Sequence, residues 1–189
     1  MMLGNNKERY GWISIAMHWL MAIAIIGMFV LGIWMVGLEY YDTWYHKAPW
    51  IHRSAGMLLL FLLIFRSVWR LTNPVPEIMG AWWEKIIALW IHRGHYLFMF
   101  AVIISGYLIS TALGKGVDLF GWFEVPALLP ADKGRETTAG TVHMYLAWAF
   151  MGYIGMHAAA AMKHHFIDRD ITLLRMLGIN NNKGEEDEN

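Results

Sequence analysis

Residues 143–157 read HMYLAWAFMGYIGMH, two histidines bracketing thirteen residues without a formal charge. At about 100° per residue, the fourteen steps from His143 to His157 return to within roughly 40° of the same helix face, about 21 Å further along the axis. One metal ion cannot reach both rings. Two cofactors stacked along one helix can each take one.

The quoted stretch lies inside a run free of Asp, Glu, Lys and Arg from Thr137 to Met162. Two further runs extend from Tyr10 to Leu38 and from Gly94 to Gly114. Each reaches the roughly 20 residues that a helix needs to cross about 30 Å of hydrocarbon. A fourth candidate, WIHRSAGMLLLFLLIFRSVWRL at Trp50 to Leu71, has an uncharged core of only twelve residues, Ser54 to Phe65. It spans if Arg53 and Arg66 snorkel to opposite interfaces, with Trp50 and Trp69 in the aromatic belts. The expected fold is an all-α membrane protein, a four-transmembrane-helix up-and-down bundle. Its domain covers 1–177, with spans at about 12–37, 50–71, 92–113 and 140–163, and a disordered acidic tail over 178–189. The apolar run near the N-terminus is too long for a signal-peptide core and reads as a retained span. AWWEKIIALWIH, from Ala81, is expected to lie along the interface before turning into the third span. GKGVDLFGWFEVPALLPADKGRE reads as a loop.

Composition agrees: 57% of the 189 residues are hydrophobic and 16% charged, with mean hydropathy +0.37. A soluble domain carries nearer a quarter charged residues. Lys plus Arg and Asp plus Glu balance at 15 each, which argues against nucleic acid as a partner. There is no cysteine, which removes disulfides, thiolate metal sites, iron–sulfur clusters and covalent haem attachment. No nucleotide-binding motif occurs, so electrons must come from a small donor, a quinol or a partner protein. Ten basic residues fall at the N-terminus, in the second loop and in the C-terminal segment, against five (Lys47, Arg53, Lys115, Lys133, Arg135) on the opposite side. The positive-inside rule then puts both termini in the cytoplasm.

The nine histidines are the available transition-metal ligands. His52 opens the second span level with His143 on the outer side, and His18 lies about as far into the first span as His157 lies from the end of the fourth. Two neutral imidazoles facing each other across a bundle are what bis-histidine ligation of a b-type haem requires. The expected cofactors are therefore two non-covalent haem b groups, one held by His18 and His157, the other by His52 and His143. Gly27, Gly32, Gly56, Gly152 and Gly155 would make room for a porphyrin. His95 is a rival ligand on the inner side, read here as a propionate or quinone contact. His92 reads as a propionate contact, His164 and His165 as interfacial residues suited to quinone or proton handling, and His46 as a loop residue. Arg53, Arg66 and Arg70 suit haem propionates.

The motifs SIAMHWL around His18, IHRSAG followed by FRSVWRL, HRGHYLF, and above all HAAAAMKHHF followed by DITLLRML resemble the bacterial cytochrome b561 family over about residues 9–177. That family is related to the cytochrome b subunits of nickel-iron hydrogenases and formate dehydrogenases. The resemblance implies an inner-membrane protein with two b haems, in which first-span and fourth-span histidines (His18, His157) hold the inner haem and second-span and fourth-span histidines (His52, His143) the outer one. A member of the family is a superoxide oxidase that passes electrons to ubiquinone. The resemblance thus implies a quinone-linked oxidoreductase carrying electrons from a periplasmic donor, superoxide or a redox partner protein, to ubiquinone or another quinone. The alternative is a haem-bearing anchor subunit between a separate dehydrogenase or hydrogenase and quinone.

Overall fold

The computed structural model describes residues 2–179, so the acidic tail from 180 onward lies outside the described residues. The elements are α1 (Trp12–Val36), α2 (Lys47–Thr72), α3 (Trp82–Ser110), β1 (Val117–Leu119), β2 (Phe123–Val125), α4 (Lys133–Phe166) and α5 (Thr172–Met176). Their boundaries follow local chemistry. Pro49 sits in the first turn of α2, where no helical donor is lost, and the pair Asn73–Pro74 forces extended backbone that ends it. The Glu84 carboxylate accepts from the Ala81 amide at 2.9 Å to start α3, and the Asp132 carboxylate accepts from Gly134 at 2.9 Å to start α4.

Consecutive long helices run antiparallel. The start of α1 meets the end of α2 at His18 and Arg66, the end of α2 meets the middle of α3 at Arg66 and Tyr96 while Met57, earlier in α2, packs with Tyr107, later in α3, and the end of α3 meets the first half of α4 at Ser105 and His143. One end of the bundle therefore carries the start of α1 and α5, and the other carries the β-hairpin. The core between the helices is a cluster of Met21, Leu63, Met99 and Phe150, with Phe98 stacked on Phe150 at 5.6 Å, and a second cluster of Met57, Val117 and Leu119 lies toward the hairpin. Leu20, Ile23, Ile26, Val30 and Ile33 form an exposed stripe at helical spacing along α1, a face suited to lipid.

Among the described residues α1, α2 and α3 are long and apolar enough to cross a membrane; α4 is not among them. Counting charges alone favours the run in α4 over that in α2, and hydropathy reverses the order. Freedom from charge is not the same as apolarity: His143, His157, Tyr145, Tyr153 and four glycines dilute α4, whereas α2 packs Leu, Ile, Phe and Met between Arg53 and Arg66. A second correction concerns Ala81 to His92. No turn separates this stretch from the third span; α3 is one unbroken helix of 29 residues, about 43 Å long. The stretch contains no Pro, and Gly94 is held helical by Tyr153, whose hydroxyl donates to Trp90 O at 3.1 Å. Since about 30 Å suffices to cross, the Trp-rich first turns extend past the hydrocarbon.

The third correction is the hairpin. Val117 pairs with Val125 and Leu119 with Phe123, with Phe120 and Gly121 in left-handed conformation at the bend. It packs on the start of α2: Val117 and Leu119 bury against Met57, and Trp50 Nε1 donates to the Asp118 carboxylate at 2.7 Å. Fully buried Ser54 donates to Asp118 O at 2.9 Å and accepts from Phe120 N at 3.3 Å. Ser54→Ala leaves both backbone groups without that partner. A loss of about 1–3 kcal/mol is expected, read by thermal unfolding in detergent and by earlier proteolysis within the hairpin.

Candidate functional site

The structure brings the four histidines together in two pairs, one at each end of the bundle. At the hairpin end, the rings of His52 (α2) and His143 (α4) are 6.2 Å apart between centroids and nearly perpendicular at 84°. At the terminal end, His18 (α1) and His157 (α4) are 6.4 Å apart at 59°. Two metal–imidazole bonds of about 2 Å each, with a ring radius of about 1.1 Å, separate two centroids by about 6.2 Å. Both pairs have about that separation, so each could hold one iron between its rings. By the same measure His95 at 4.8 Å and His92 at 5.6 Å stand too close to His157 to lie opposite it across one metal.

Hydrogen bonding prepares the hairpin-end pair. His143 Nδ1 lies 2.9 Å from Val102 O and 3.0 Å from Ser105 Oγ, and Ser105 itself donates to Val102 O at 2.8 Å. The carbonyl can only accept, so Nδ1 carries the proton and Nε2 keeps its lone pair. His52 Nδ1 is buried without a partner. A buried unpaired ring nitrogen costs about 1–3 kcal/mol, which a bound group can offset. Both rings line an apolar cavity of about 230 Å³, bordered also by Met28, Phe29, Arg53, Gly56, Gly106 and Phe150. Gly32 and Gly106 act as backrests: a Cβ at either would lie 3.2 Å from His52 Cε1 or 3.1 Å from His143 Cε1.

At the terminal end His18, without His157, lines a smaller, more polar pocket of about 80 Å³ together with Tyr10, Arg66, Arg70, His92 and Tyr96. Arg66 donates to Tyr96 Oη at 3.2 Å and approaches His18 Nδ1 at 3.4 Å, and among the described residues neither Arg66 nor Arg70 forms a salt bridge. A half-buried guanidinium without a carboxylate suits an anion such as a propionate. A guanidinium only donates, so its contact puts the lone pair on His18 Nδ1; for Nε2 to bind iron the proton must move to Nδ1 and Arg66 must turn toward another acceptor. Burial pushes the Tyr10 phenol above its ordinary pKa, with Arg70 opposing, so Tyr10 remains a donor at the pocket edge.

The other histidines are also located. His95 Nδ1 lies 2.8 Å from Ile91 O, while its Nε2 is buried and unpaired. His164 Nδ1 lies 3.0 Å from the carboxylates of both Asp168 and Asp170, and Lys163 bridges Glu84 at 2.7 Å and Asp168 at 2.8 Å. His165 lies edge-on to Phe166 and His46 to Tyr45. Of the glycines read as porphyrin room, Gly32 touches a ligand ring, Gly56 meets Met28, and Gly27, Gly152 and Gly155 face open space. The spacing argument missed Gly106, the Val102 carbonyl and the hairpin. Gly106, which follows HRGHYLF in the motif shared with the family, stands on a helix without a ligand, so ligand spacing alone did not mark it.

A model of the prokaryotic cytochrome b561 family matches residues 9–178. The chain belongs to that family. Cytochrome b561 homolog 2 of Escherichia coli (strain K12) is 52% identical over 178 residues, covering 92% of this chain and 94% of that protein. Probable superoxide oxidase CybB of Yersinia pestis is 31% identical over 174 residues, covering 90% and 96% respectively. Cytochrome b561 homolog 1 of E. coli (strain K12) is 28% identical over 179 residues. Membership in the cytochrome b561 family implies a b-type haem and electron transfer in the bacterial inner membrane.

Proposed function

We propose that this cytochrome b561 carries two b haems, one between His52 and His143 and one between His18 and His157, and that it conducts electrons from a periplasmic donor of the superoxide class to a membrane quinone. The observation that carries the reading is the pair of matching imidazole separations, 6.2 and 6.4 Å, at the two ends of α4. In this reading α4 is the fourth span, its ligand histidines compensated by iron, and both termini are cytoplasmic by the bias of the basic residues. A haem iron held by two imidazoles supplies one-electron exchange between ferric and ferrous states.

The protein's own groups do the rest. Arg53, which borders the same cavity as His52, favours approach of an anion. The hairpin anchored on Ser54 and Trp50 covers the start of α2 and limits water there. At the terminal end, His164 with Asp168 and Asp170 can hold and pass protons toward a quinone. Two superoxide anions give up one electron each and leave as dioxygen; the quinone takes two electrons and two protons.

Purified protein is expected to hold two haems per chain and to reduce a soluble quinone when superoxide is generated enzymatically, with loss of the activity on adding superoxide dismutase. A colourless protein refutes the haem reading. A di-haem protein inert to superoxide refutes the donor and favours a haem subunit served by a separate dehydrogenase.

A further inference from the structure

The helix that supplies none of the four ligands, α3, touches both ligand histidines of α4. At the hairpin end this contact is complete: Val102 O accepts from His143 Nδ1 at 2.9 Å. A ring nitrogen opposite a metal bond carries a proton, and metal-binding histidines almost always give it to an acceptor, which fixes the ring and raises its basicity. His157 needs the same, and its backbone surroundings offer no equivalent hydrogen bond among the described residues.

His95 is placed to supply it. It stands seven residues before Val102, two turns closer to the terminal end of α3. Its own Nδ1 is bound to Ile91 O at 2.8 Å, so its proton is there and its Nε2 is an acceptor, and that Nε2 is buried and unpaired. The rings of His95 and His157 are 4.8 Å apart. A hydrogen bond of about 2.9 Å between two ring nitrogens leaves centroids about 5 Å apart, so the acceptor lies in reach of a small rotation of His157. His92 also faces His157, at 5.6 Å, beyond that separation.

We infer that His95 is a positioning residue, the acceptor that orients His157 for the inner haem as Val102 O orients His143 for the outer one. The inference rests on the di-haem reading above. It assigns α3 the role of an orienting rail along which both ligand rings of α4 are set.

The test uses full-length His95→Phe and His95→Gln, with the inner haem assigned through His18→Ala. Both variants are expected to keep two haems. In His95→Phe the low-spin electron paramagnetic resonance signal of the inner haem shifts and its midpoint potential rises, because a less basic imidazole stabilises ferric iron less. The outer haem stays unchanged, and His95→Gln, which restores an acceptor, returns the inner haem to wild-type values. Loss of the inner haem in both variants overturns the inference by making His95 a ligand. An unmoved inner haem in His95→Phe, or equal shifts of both haems, overturns it as well. A wild-type protein without two haems would instead overturn the reading on which it rests.

Discussion

His143→Ala and His157→Ala are each expected to purify with one haem instead of two, and the haems lost are expected to differ. The two residues lie about 21 Å apart along α4 and face partners on different helices, His52 on α2 and His18 on α1. Removing one imidazole leaves the opposite pair intact, so each variant keeps half its absorbance by haem quantification. The residual haems are distinguishable by reductive titration and by low-spin resonance signals, since one pocket is apolar and the other carries Arg66 and Arg70. The partner substitutions give the cross-check: His52→Ala must match His143→Ala, and His18→Ala must match His157→Ala. If His143→Ala and His157→Ala lost the same haem, the two-site arrangement would be wrong.

Gly106→Val and Gly32→Val are expected to cost the outer haem without touching any ligand. A Cβ at Gly106 would already stand 3.1 Å from His143 Cε1 and one at Gly32 3.2 Å from His52 Cε1, tighter than ordinary contact. The extra methyls of valine push the imidazole off its axis, and the protein interior has little room to relax. Haem content should fall from two to one while the inner haem keeps its spectrum. Gly27→Ala is the control. Its Cβ meets nothing, so both haems stay and the helix gains up to about 1 kcal/mol from the propensity difference. Haem loss in Gly27→Ala to the same extent would mean that any glycine change loosens the bundle, and the backrest argument would fall.

Much of this was readable along the chain because the bilayer imposes a one-dimensional rule. A segment must be about 20 residues long and poor in charge to cross, and uncharged runs announced α1, α3 and α4 within a few residues of their cores. The fourteen-residue spacing of His143 and His157 gave two depths on one face, since helical rise and twist are fixed by backbone hydrogen bonds alone. Pairing partners by depth, His52 with His143 and His18 with His157, anticipated which rings would lie about 6 Å apart.

Other features depended on how helices rotate against one another, which spacing does not encode. His95 and His18 were rivals for His157 by depth; only the packing, with Tyr153 over Gly94 drawing α3 close to α4, set His95 nearer to His157 than two rings on opposite sides of one iron stand. Gly32 and Gly106 became backrests because their faces happen to meet ligand rings, while Gly27, Gly152 and Gly155, equally small, look into open space. The hairpin escaped notice because its two strands have three residues each and are held by Ser54 and Trp50, more than sixty residues earlier in the chain. The long helices and the depths of their histidines follow from the order of residues alone, because local hydrogen bonding and hydrophobicity set those. Which ring faces which, what orients it and what covers it follow from the folded chain, because side-chain packing between distant segments sets the rotation of each helix.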